Sequence, residues 1–130
     1  MNIVVVAENG FTRSSVNVNL RSAGHTVTEA DPTCLLDVVQ QLRERLPHLA
    51  VLDFTIPQCN CETLVRIIRE DPVLTGLPLL VVHGAEEVES ALRMGCWERV
   101  RCLEKPLQVE ALLQAAQEVD TSPGAGTPDR

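Results

Sequence analysis

Four residues suited to phosphate or metal chemistry stand at, or just after, the ends of four apolar runs. Val4-Val5-Val6 leads to Glu8, Leu49-Ala50-Val51-Leu52 to Asp53, Leu79-Leu80-Val81-Val82 to His83, and Val100-Arg101-Cys102-Leu103 to Lys105. If these runs are parallel strands, their carboxyl ends share one edge of a sheet, the crevice where open α/β sheets bind ligands. A carboxylate placed there can attack a phosphoryl group and form an aspartyl phosphate. Such transfer needs a divalent cation to neutralise charge between attacking and transferred oxygens. Mg²⁺ suits the task, because it takes one or two carboxylates, keeps several waters and completes its octahedron with phosphate. Asp53 is the candidate nucleophile and Glu8 the candidate second metal ligand. Lys105 can reach a phosphoryl oxygen, or pair with Asp53 when no phosphate is present.

The elements that must position these groups follow from the apolar pattern. The chain reads as five repeats of strand then helix. Ile3 to Ala7 is continuously apolar, as in a strand covered on both faces. Val16, Leu20 and Ala23 then recur at helical spacing, and Gly24 is placed as a helix stop. His25 to Ala30 is a short second strand. Asp31-Pro32 predicts a helix start, with Leu35, Leu36, Val39, Leu42 and Leu46 as its buried stripe and Pro47 as its end. Leu64, Ile67 and Ile68 mark a third helix closed before Pro72, and Pro78 opens the fourth strand. Val88, Ala91 and Leu92 mark a fourth helix that Gly95 terminates. Val109, Leu112, Leu113 and Ala116 stripe a fifth. This alternation predicts a parallel sheet with right-handed crossovers and helices on both faces. Residues 1–120 form one domain on this reading, and residues 121–130, rich in Pro, Gly, Ser and Thr, form a disordered tail or linker stub.

Composition removes several function classes. The 130 residues carry a formal charge of −7, which argues against nucleic acid and against an anionic membrane surface as partners. With no Tyr, one Trp and two Phe, the core must be built from aliphatic side chains. The apolar stretches fall well short of the ~20 residues of a membrane-spanning helix. No export signal precedes the first strand, and five irregularly spaced cysteines are most simply reduced thiols. A cytoplasmic protein is expected. The first strand is followed by Ala7-Glu8-Asn9-Gly10 rather than a Gly-rich phosphate loop, and there is no Ser-His-Asp arrangement, so no enzyme is expected.

The order of these residues resembles the receiver domain of two-component response regulators, from Ile3 to about Val119. The stretches that carry the resemblance are Val4-Val5-Val6-Ala7-Glu8, Val51-Leu52-Asp53-Phe54-Thr55-Ile56-Pro57, Pro78-Leu79-Leu80-Val81-Val82-His83-Gly84-Ala85 and Leu103-Glu104-Lys105-Pro106-Leu107. The resemblance implies a flavodoxin-like (βα)5 fold with a parallel sheet of order 2-1-3-4-5. It implies that Asp53 accepts a phosphoryl group from a histidine kinase or phosphotransfer protein. Glu8, Asp53 and the carbonyl of Thr55 would hold Mg²⁺, and Lys105 and His83 would contact the phosphoryl group. A downstream protein would read the surface of helix 4, strand 5 and helix 5, where Cys102, Trp97, Arg99 and Arg101 are the switch and interface candidates.

The departures from the family pattern point to an atypical member. Ala7-Glu8 stands where two adjacent acids are usual, so metal affinity should fall, by ~10–100-fold if the loss resembles that of an outer-shell partner. His83 replaces a small hydroxyl, and Cys102 replaces the aromatic switch residue. Asn60-Cys61 replaces the Asp-Gly that opens helix three, and Cys tolerates positive φ poorly. A second reading therefore stands beside the first: a receiver-like protein-interaction module that is not phosphorylated and is held in one state by an Asp53–Lys105 pair. Plainer readings also stand for single residues. Glu8 could be a solvated acid at a strand end, His83 a partly exposed residue at the rim, and Trp97 a stray surface aromatic. Cys59 and Cys61 read as loop thiols near the site, since a zinc site would need further ligands.

Overall fold

The computed structural model describes residues 1–7, 10–30, 34–54, 60–94, 97–105 and 107–121. Five strands alternate with five helices: β1 (Asn2–Val6), α1 (Gly10–Ser22), β2 (Thr26–Ala30), α2 (Leu35–Arg45), β3 (Leu49–Asp53), α3 (Cys61–Glu70), β4 (Leu79–His83), α4 (Val88–Met94), β5 (Val100–Glu104) and α5 (Val109–Thr121). A single 3-10 turn, Ala85–Glu87, leads into α4. The strands form one parallel sheet of order β2-β1-β3-β4-β5, as the alternation and the resemblance predict.

Side chains along a strand alternate between faces, so each strand feeds two cores. Val4, Val6, Ala50, Leu52, Leu79 and Val81 pack with α2, α3 and α4 through Val38, Leu42, Leu64, Ile68 and Met94. Ile3, Val5, Val51, Leu80 and Val82 face the other way, onto Val16 and Leu20 of α1 and Leu112 and Ala116 of α5. Burial on both sides is why β1, β3 and β4 read as unbroken apolar runs rather than alternating ones.

The helix faces differ from the sequence reading in instructive ways. In α2 the buried residues are Val38, Val39 and Leu42, while Leu36 and Leu46 are exposed. The helix begins at Leu35, which turns Leu36 outward, and Leu46 leaves it as a left-handed C-cap (φ 45°) whose N–H still donates to Leu42 O. Ala23, Leu92 and Val109 are likewise exposed; Ala91 with Met94, and Leu112 with Ala115 and Ala116, are buried instead. Gly24 does take positive φ (95°) where α1 stops. The expected helix start at Asp31-Pro32 and the Gly95 stop lie outside the described residues, as does the tail beyond Thr121.

One ion pair and a second arginine brace the turn after α3. Arg43 of α2 binds the buried carboxylate of Asp71 through Nε at 2.7 Å and through a guanidinium nitrogen. Asp71 Oδ1 also accepts from Val73 N at 2.8 Å and Leu74 N at 3.2 Å, so one side chain fixes the turn after α3. Arg69 ties that turn to the start of β5 by donating to the carbonyls of Thr75, Glu98 and Arg99.

Candidate functional site

Asp53 is the last residue of β3 and its side chain is 1% exposed. Its position at a strand end is set by sheet pairing that continues beyond the regular strands. Phe54 N donates to Val82 O at 2.8 Å, and Lys105 N to His83 O at 2.7 Å. These bonds lock the residues after β3, β4 and β5 into one row. β3 and β5 are separated by β4, hence by about 10 Å across the sheet. The four-carbon stem of a lysine spans what remains once the Asp53 side chain extends toward it. Lys105 Nζ lies 3.1 Å from Asp53 Oδ1 and 3.3 Å from Oδ2. A carboxylate so deeply buried requires a cation or donor beside it, and Lys105, with its side chain 25% exposed, supplies one.

His83 ends β4 one strand over and is buried, not the rim residue that its polarity suggests. Its Nδ1 lies 2.9 Å from Gly84 O, so Nδ1 carries the proton and donates to that carbonyl. The ring is held in because β4 is central, covered by helices on both faces. Gly84 N donates to Glu87 Oε1 at 2.7 Å, which fixes the turn that follows.

Asp53, Lys105 and His83 are thus brought to one edge. The metal-ligand candidates Glu8 and Thr55 lie outside the described residues, as do Cys59, Cys96 and Pro106. Cys102 sits on β5 with Sγ 3.4 Å from Ala91 O, and burial pushes its thiol up to about 11. Arg101, beside it, pairs with Glu118 of α5. Trp97 and Arg99 are placed differently, before the start of β5 and so at the opposite end of the sheet from Lys105. Trp97 packs against the core behind α3 and α4, while Arg99 Nη1 donates to Gly76 O at 3.1 Å. Cys61 is a core residue, 1% exposed, at the first position of α3. The anticipated strain at Asn60-Cys61 does not arise. Asn60 (φ −78°) is the N-cap and its side chain accepts from Thr63 N at 3.0 Å.

Sequence reasoning passed over Arg13, whose guanidinium reaches Ala7 O at 3.4 Å above the end of β1 and pairs with Glu29 at 3.6 Å. Only the sheet order, which puts β2 beside β1, makes that cation visible.

Comparison with known proteins agrees with this geometry. Over 117 residues the chain is 27% identical to the virulence transcriptional regulatory protein PhoP of Shigella flexneri, covering 90% of this chain and 51% of that protein. It is 29% identical over 120 residues to PhoP of Salmonella typhimurium LT2, covering 90% and 50%. The receiver domain of NtrX from Brucella abortus superposes with a TM-score of 0.79 at 22% identity, covering 93% of this chain and 99% of that one. In sequence and in fold the chain is similar to response-regulator receiver domains. It spans about half the length of the PhoP relatives. A putative response regulator from Chloroflexus aurantiacus shares the fold with a TM-score of 0.79 at 21% identity, over 91% of this chain and 95% of that one. No protein-family model matches the chain. Receiver domains are signalling modules rather than typical enzymes, meet histidine kinases or phosphotransfer proteins, and generally bind Mg²⁺ at the phosphorylation site. Among the described residues, no helix is long and apolar enough to cross a membrane.

Proposed function

We propose that this chain acts as a receiver domain and accepts a phosphoryl group on Asp53 from a histidine kinase or phosphotransfer protein. The observation that carries the reading is the contact of a buried strand-end carboxylate with Lys105 Nζ at 3.1 Å. An Asp53 oxygen attacks phosphorus as the bond from phosphorus to the donor's histidine nitrogen breaks, and that imidazole leaves. Lys105 then balances charge on the phosphoryl oxygens instead of on the free carboxylate. The donor set suits a hard cation, since it consists of oxygens only: Asp53, Glu8 and the Thr55 carbonyl would hold Mg²⁺. Bound there, Mg²⁺ supplies charge neutralisation between the attacking and transferred oxygens.

The response would be read at α4, β5 and α5. Lys105 follows β5 directly, and Arg101 on that strand is tied to Glu118 of α5, so a change at Lys105 has a short path to this face. Residues 1–120 would act as the receiver in the cytoplasm, with the remainder as tail or linker. A second reading is favoured by the depth of Asp53: with 1% exposure and Lys105 against it, the pair could lock one state without phosphate.

Adding beryllofluoride with Mg²⁺ separates the two. The first reading expects amide shifts along β5 and α4 that need both reagents and vanish in Asp53→Asn. Unchanged spectra at millimolar reagent would leave the locked, unphosphorylated module, which in turn expects Asp53→Asn to keep partner binding.

A further inference from the structure

At the end of the sheet opposite Asp53, the residues that precede β3, β4 and β5 border a cleft of about 350 Å³, a volume that suits a small molecule. Pro47 and His48 come from before β3, Leu77 and Pro78 from before β4, and Arg99 from before β5. Leu46, the C-cap of α2, and Val73, in the turn after α3, add two large aliphatic side chains that are 61% and 58% exposed. That turn is fixed in advance. Asp71 holds the amides of Val73 and Leu74, and Leu77 N donates to Leu74 O at 2.9 Å.

Two residues of the lining carry a backbone cost. Leu46 (φ 45°) and Arg99 (φ 59°) are the non-glycine residues with positive φ among those described, and both border this one cleft. Glycine or asparagine would take that conformation with less strain. Backbone strain of this kind gathers at ligand sites, where the side chain it retains is used. Here the two side chains supply an apolar wall and a guanidinium.

The charge of the cleft is one-sided. No Asp or Glu borders it, in a chain whose formal charge is −7. Arg99 Nη1 donates to Gly76 O at 3.1 Å, which holds the head group against the lining, and Arg99 forms no ion pair among the described residues. His48 accepts from Asn2 N through Nδ1 at 2.9 Å, so its ring proton is on Nε2 and it too presents a donor. A second guanidinium, that of Arg69, bonds the carbonyl of Arg99 itself. Burial pushes Arg69 down to about 10; Glu98 pulls it back up, and the charge of Arg99 pushes it further down. Two cations this close favour an anion beside them. One planar guanidinium fork against aliphatic walls matches a singly charged, planar head on an apolar body, which is a carboxylate rather than a phosphate dianion.

We infer that this cleft binds a small aliphatic monocarboxylate, with its carboxylate on the Arg99 guanidinium and its branched end against Leu46 and Val73. The site lies at the far edge of the sheet from Asp53 and Lys105, so it stands whether or not Asp53 is phosphorylated.

4-Methylpentanoate is the probe, titrated into the full chain with backbone amide shifts as the readout. Saturable shifts are expected at Leu46, His48, Val73, Gly76 and Arg99, with the same affinity in Asp53→Asn. 4-Methylpentanamide keeps the body and loses the charge, whereas acetate keeps the charge and loses the body; each should bind at least ~10-fold more weakly. Arg99→Asn removes the guanidinium at a position whose backbone asparagine accepts, and should weaken binding by a similar factor. Should that variant not fold, Leu46→Gly decides. It should weaken binding while stability is unchanged or raised, a combination that a purely structural role for Leu46 does not produce. Overturning results are no saturation up to the solubility limit, shifts centred elsewhere, equal binding of the three compounds, or full affinity in folded Arg99→Asn or in Leu46→Gly.

Discussion

Removing either partner of the Asp53–Lys105 pair should destabilise the fold, but by unequal amounts. The side chain of Asp53 is 1% exposed and that of Lys105 25%. In Lys105→Met the carboxylate keeps its charge where water barely reaches, and breaking a buried pair in this way costs ~3–5 kcal/mol. Partial exposure of the lysine means water replaces some of what is lost, so about 2–3 kcal/mol is expected. In Asp53→Asn the shape is kept and the buried charge removed, while the lysine stem can swing its ammonium into solvent. That change should cost about 1 kcal/mol, the worth of an ordinary hydrogen bond. The gap of about 1–2 kcal/mol becomes roughly 1 M in the urea midpoint at the ~1–3 kcal/mol/M slope of small domains. Urea unfolding of both variants, with the wild type alongside, reads it directly. Equal costs, or a costlier Asp53→Asn, would refute the claim that burial asymmetry governs this pair.

Other features give further expectations. The Arg43 guanidinium, with the amides of Val73 and Leu74, holds Asp71 below its ordinary value of 3.8. Its contribution is therefore present above about pH 4 and lost as pH falls through the lowered value. Asp71→Asn should flatten the acid limb of a thermal-stability profile; an unchanged limb would contradict this. With its thiol pushed up to about 11, Cys102 should be alkylated on the order of 100-fold more slowly than a free thiol at pH 8, as peptide mapping by mass would register. Labelling at the rate of a small-molecule thiol would count against its buried placement. Leu46 holds φ 45° with an exposed side chain. Leu46→Gly should be neutral or stabilise by up to ~1 kcal/mol, because glycine meets no Cβ penalty there. A loss above that amount in thermal unfolding would show that Leu46 packing outweighs the strain.

The parallel sheet and the Asp53–Lys105 contact were legible in the apolar runs and the residues at their ends, whereas the strand order was what the resemblance implied. A continuous apolar run fixes a buried parallel strand, and the residue after it must emerge at the ligand-binding edge. Helix faces were less legible. In α2 the expected stripe included Leu36 and Leu46, because leucine content alone does not say where a helix begins or that its last residue turns left-handed. His83 was misjudged as a rim residue, since its burial comes from neighbours on both sides of β4 rather than from its own run.

The most direct test is intact-mass analysis after incubation with acetyl phosphate and Mg²⁺. One added phosphoryl group is expected, dependent on Mg²⁺, absent in Asp53→Asn and mapped to the peptide holding Asp53. An unmodified wild-type mass after long incubation, or the same adduct persisting in Asp53→Asn, would contradict the assignment of Asp53 as phosphoacceptor.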